Sequence, residues 1–225
     1  MSNRYWKENW DESRQRYLDW WNRKGLVISM WEHLTMDGPP HEEVPPPPPA
    51  RDLDQYWFDP AWRAANIHHR LAHSSFMADI LPVANTHLGP GSLAAILGST
   101  LEGTDDTIWI HPLPDAERTF PKALALDEEN RWWQLHLELI RACKANAAGR
   151  YMVGCPDLIE GLDTLASLYG TQEVLIETID RPEELERQLQ RVNDLWFTVF
   201  DRIYDEINEE GEMAFCYFSI WGPGK

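Results

Sequence analysis

The chain has 225 residues, with 20 Lys plus Arg against 37 Asp plus Glu and a formal charge of −17. That balance excludes a duplex-binding protein, which needs a basic face to release counterions. The 43% hydrophobic content suits one globular domain over residues 1–225 with a substantial core. No stretch approaches the roughly 18 uninterrupted apolar residues of a membrane span. The first ten residues, Met1 to Trp10, hold no apolar leader core, so the expected compartment is the cytoplasm and neither membrane nor nucleic acid is an expected partner. Cys143, Cys155 and Cys216 are odd in number and widely spaced, which argues against a disulfide framework.

Residues 4–22 read as an amphipathic helix with Trp6, Trp10, Tyr17 and Trp21 on one broad face, stopped at Gly25. Leu26–Met30 follows as a short apolar strand ending near Glu32 and His33. Residues 38–51 contain seven prolines, which neither a helix nor an inner strand accepts, and read as an irregular surface excursion. Asp59-Pro60 opens a helix to Ala72. Met77–Pro82 reads as a buried strand that delivers Asp79, followed by the loop Gly89-Pro90-Gly91 and a short helix. Thr107–His111 alternates briefly. Residues 127–148 repeat apolar side chains at three and four and stop at Gly149.

Met152–Cys155 is the next strand, and a helix covers Leu162–Tyr169. The clearest helix runs from Pro182 to Asn208, with Leu185, Leu189, Val192, Trp196, Val199, Ile203 and Ile207 as its stripe, and Asp180 to Glu183 spaced as a capping box. Ala214–Ile220 is an apolar run of the kind buried on both faces. Four apolar strands separated by helices make a parallel α/β protein.

Four segments together resemble the uroporphyrinogen decarboxylase superfamily. They are Trp20-Trp21-Asn22-Arg23-Lys24-Gly25, then Phe76-Met77-Ala78-Asp79-Ile80-Leu81-Pro82, then the signature from Tyr151 through Cys155-Pro156-Asp157 to Tyr169-Gly170, and Asp180-Arg181-Pro182-Glu183. The resemblance implies a TIM (β/α)8-barrel type. A whole barrel needs roughly 250 residues, so the expectation is its first half, about four parallel strands with helices. Open strand edges would then favour a homo-oligomer or pairing with a C-terminal half.

Barrel sites gather at the C-terminal ends of strands. That rule selects Glu32, His33, Asp79, Cys155 and Asp157, with Ser219 and Trp221 after the fourth strand; the resemblance makes Asp79 the expected catalytic carboxylate, and Glu32, His33, His87, Cys155 and Asp157 are the expected substrate-binding residues. Asp157 is equally suited to capping the helix after it. No arginine follows the first strand in Met30-Trp31-Glu32-His33, where decarboxylases of the family grip their polycarboxylate substrate. The resemblance therefore points first to corrinoid-linked methyl transfer or demethylation, with a small molecule or a corrinoid protein as partner. Uroporphyrinogen-type decarboxylation in porphyrin metabolism is the alternative, and an inactive binding remnant the third reading. No cofactor is identifiable in the chain. The family's zinc ligands would fall beyond Lys225, and the corrinoid would belong to the partner. His69 and His73 stand four apart, a spacing that can chelate, but without an evident third ligand they read as a solvated helix face.

Overall fold

The structure is a computed structural model that describes residues 5–30, 34–114 and 123–225. In chain order its elements are α1 (Trp10–Trp21), β1 (Leu34–Thr35), α2 (Leu53–Phe58), α3 (Pro60–Ala72), β2 (Ser74–Ser75), β3 (Val83–Ala84), α4 (Ser92–Ile96), β4 (Thr100–Gly103) and β5 (Ile108–His111). They continue with α5 (Arg131–Ala147), β6 (Met152–Cys155), α6 (Gly161–Tyr169), α7 (Thr171–Asp180), α8 (Pro182–Ile207), β7 (Met213–Phe215) and β8 (Trp221–Gly222). The fold is mixed α/β. Its residues fall into two compact units, one of 1–87, 138–156 and 204–225, the other of 88–137 and 157–203.

The first unit holds a four-stranded sheet in the order β3-β6-β7-β8. β3, β6 and β7 are parallel, with Val83 opposite Met152 and Cys155 opposite Phe215, whereas β8 is antiparallel to β7. β6 and β7 approach closely because Gly154 carries no side chain. A Cβ there would stand 2.7 Å from the Cys216 backbone nitrogen. One core cluster joins sheet to helix: Tyr5, Trp10 and Tyr17 pack on Leu81, Val83, Met152, Ala214 and Trp221. The Trp10 and Trp221 rings meet edge to face at 6.3 Å, a favoured aromatic geometry.

The proline-rich excursion runs along α3. Ala72 accepts from the His41 backbone N–H at 2.9 Å, Val44 O accepts from His69 Nδ1 at 2.6 Å, and Pro48 O accepts from Trp62 Nε1 at 2.8 Å. Prolines donate nothing from the main chain, so their carbonyls stay open to donors on the helix. Asp59 caps α3 by accepting the Trp62 N–H at 2.9 Å, with Pro60 in the first turn.

In the second unit, β4 and β5 form an antiparallel hairpin. Leu113 N–H donates to Leu168 O at 2.9 Å, and Trp196 Nε1 donates to Leu158 O at 2.7 Å, tying α6 and the Leu158 loop to their neighbours. Along α8 the expected stripe is buried at Leu185, Val192, Val199 and Ile203.

Three expectations are corrected. Leu26–Met30 and Met77–Pro82 are not strands. The strand of that region is Val83–Ala84, because Ala78 takes a left-handed φ of 48° that breaks an extended run. The Ala214–Ile220 run divides into β7 and a turn through Phe218 and Ser219, both at positive φ, after which Trp221–Gly222 pairs antiparallel with β7. Asp180 ends α7 and is separated from α8 by Arg181, so the expected capping box does not form there.

Candidate functional site

Asp79 belongs to a polar cluster under the N-terminal helix. Its side chain is almost fully buried and accepts from Arg16 Nε at 2.6 Å, Ser13 Oγ at 3.0 Å and the Ile28 N–H at 3.0 Å. The neighbouring Ala78 carbonyl accepts from Lys7 Nζ at 2.9 Å and Asn9 Nδ2 at 3.2 Å, and shares the single Ser13 hydroxyl hydrogen, 3.1 Å away, with Asp79. These donors on one carbonyl hold Ala78 in its left-handed conformation, which a residue with a Cβ avoids unless its surroundings fix it. Burial lowers the pKa of Lys7 to about 8, with Asp79 opposing that shift and Arg16 adding to it. All of these partners belong to the protein itself, and their evident work is to fasten α1 to residues 76–80.

A second group forms where parallel strands end. Past β3, Thr86 Oγ1 donates to Gly154 O at 2.6 Å, and Asn85 Oδ1 accepts the His87 N–H at 3.2 Å, which fixes the His87 backbone. From α3, Arg63 reaches the same end: its guanidinium donates to His87 O at 2.9 Å and to Trp57 O at 3.3 Å. No carboxylate pairs with Arg63 among the described residues, and burial lowers its pKa to about 10. An arginine held only by carbonyls keeps its charge and has N–H groups to offer to an anion. His87 is lowered to about 4 by burial and then by Arg63, so it is neutral at pH 7, and its Nδ1 is buried without a partner.

The Cys143 thiol is not nucleophile-like. Cys143, Cys155 and Cys216 are buried outside any disulfide, and burial pushes Cys143 up to about 12 although Arg63 pulls it down. A thiol that stays protonated is neither a good metal ligand nor a good nucleophile. Among the described residues no group of three or more His, Cys, Asp or Glu could hold a metal ion.

His87 and Cys155 therefore come to one end of the sheet, while Asp79 lies in the other cluster. Glu32 and His33 fall outside the described residues. Asp157 opens the second unit, half-buried. Burial and then Glu160 raise its pKa, and it makes no hydrogen bond among the described residues. It does not cap α6, whose N-cap is Glu160 with no side-chain bond. Arg63 was the residue that sequence reading missed. Its one signal is that it shares an i, i+4 row with Ile67 and Leu71, which puts a cation on the apolar side of α3.

Comparison with protein-family models, curated proteins and solved structures finds no match to the chain.

Proposed function

We propose that the chain is the early-strand portion of a (β/α)8-type barrel resembling the uroporphyrinogen decarboxylase superfamily. In this reading it binds a small carboxylate-bearing molecule at the ends of β3, β6 and β7. The observation that carries it is Arg63, a packed guanidinium with no carboxylate partner among the described residues. It supplies the cation that the sequence lacks after Met30, and a carboxylate is the group its planar fork fits best. Neutral His87 beside it is a hydrogen-bonding and proton-handling group that does not repel the cation.

The reaction implied by the resemblance is corrinoid-linked methyl transfer, with the zinc-activated thiol supplied from outside these 225 residues. Decarboxylation is the second reading, and Arg63 favours it because polycarboxylates need fixed cations.

Equilibrium dialysis against uroporphyrin, an octacarboxylate, and against methylcobalamin tests the pair. Saturable uroporphyrin binding that Arg63→Met abolishes and Arg63→Lys partly keeps supports the carboxylate site. Uroporphyrin alone binding selects decarboxylation, and methylcobalamin alone, which has no carboxylate, overturns the carboxylate site and leaves methyl transfer. No binding of either, or binding unchanged in Arg63→Met, overturns the reading.

A further inference from the structure

At the C-terminal end of α3, away from Arg63, two histidines stand four residues apart, a spacing that can chelate. His69 and His73 are half-buried one turn apart, with ring centroids 4.3 Å apart and planes tilted by 44°. His69 Nδ1 donates to Val44 O at 2.6 Å, and His73 Nδ1 donates to His69 O at 2.7 Å. A carbonyl oxygen only accepts, so each Nδ1 carries the hydrogen and each neutral ring keeps its lone pair on Nε2. Fixing one ring nitrogen to a backbone acceptor while the other stays open is how proteins orient histidine ligands. Neither Nε2 has a hydrogen-bond partner among the described residues.

The spacing fits a shared ion. An ion about 2.1 Å from each Nε2 lies about 3.2 Å from each ring centre. Centroids 4.3 Å apart then subtend close to a right angle at the ion, which tetragonal and octahedral geometries prefer and a tetrahedral ion tolerates with strain. The excursion contributes directly, because Val44 sets the tautomer of His69.

We propose that His69 and His73 form a two-histidine chelate for a divalent transition-metal ion such as Cu2+ or Zn2+, with water or an added ligand completing its sphere. No third side chain joins them among the described residues, so the site is open and its ion exchangeable. Mg2+ and Ca2+, which take oxygen ligands, do not bind there. This site is independent of the carboxylate site.

The full chain is titrated with CuSO4 and separately with ZnCl2 in a weakly coordinating buffer, by calorimetry. The Cu2+ sample is then examined by electron paramagnetic resonance. One equivalent with nitrogen couplings from two imidazoles is expected, with an affinity at least tenfold weaker in His69→Gln and in His73→Gln, and no uptake of MgCl2. Uptake unchanged in the double variant, or a Cu2+ spectrum lacking two-imidazole coupling, overturns the proposal. The wild-type spectrum decides by itself if a variant fails to fold.

Discussion

Asp79 and Ile28 bond to each other twice. The Asp79 N–H donates to Ile28 O at 2.9 Å, and the Ile28 N–H donates back to the Asp79 carboxylate at 3.0 Å. A side-chain oxygen thus takes the place of a backbone carbonyl, and two segments that are not strands are joined as a ladder would join them.

Removing that carboxylate should cost stability. Asp79→Ala leaves Arg16, Lys7 and the Ile28 N–H short of an acceptor or countercharge and is expected to cost about 3 kcal/mol, and Asp79→Asn about 2 kcal/mol. Arg16 keeps partial access to water, which limits both losses. Urea unfolding midpoints of the two variants test this. An Asn variant as stable as wild type that loses ligand binding would instead give Asp79 a functional role.

Lys7 should set a slope in stability above neutral pH. Its folded pKa of about 8 lies below the ordinary 10.5, so between those values the unfolded chain binds more protons and stability rises with pH. A whole proton gives up to about 1.4 kcal/mol per pH unit. From about pH 9 upward Cys143 acts in the opposite direction, because its folded pKa is raised to about 12. The window that isolates Lys7 is therefore pH 8 to 9, where the stability difference between wild type and Lys7→Met should grow with pH.

His87 should contribute to acid lability. Its pKa falls from 6.5 to about 4 on folding, so its neutral form is fully compatible with the fold above pH 6.5. Between 6.5 and 4 the unfolded state binds the extra proton, and stability drops as pH falls. Chemical denaturation of wild type against His87→Gln at pH 7, 6, 5 and 4 should show the variant losing less.

Gly154→Ala is expected to cost about 3 kcal/mol, because its Cβ would meet the Cys216 backbone and β6 cannot part from β7 without losing the ladder. Thermal unfolding of the variant checks this.

Periodicity made the long helices legible. The stripe of α8 predicts Pro182–Asn208 against an observed Pro182–Ile207, and the α5 repeat ends as expected before Gly149. Short strands were less legible, since an apolar run such as Phe76–Pro82 carries no sign that Ala78 turns left-handed. Recognising that would require knowing that Lys7, Asn9 and Ser13, some 65 to 71 residues away, converge on one carbonyl. The end of β6 carrying Cys155 was found from sequence, but β3, the strand before His87, was placed six residues too early, and Arg63 was missed because a helix pattern does not say how far a long side chain reaches.

The three bonds that seat residues 41–48 on α3 give an otherwise irregular stretch a fixed register. Ordinary surface loops absorb insertions at small cost. Here one residue added between Val44 and Pro48 would carry one acceptor out of reach of His69 or Trp62. Length in this stretch is therefore as constrained as composition, and the prolines act as spacers of set pitch, measuring off the distance from one end of the helix to the other.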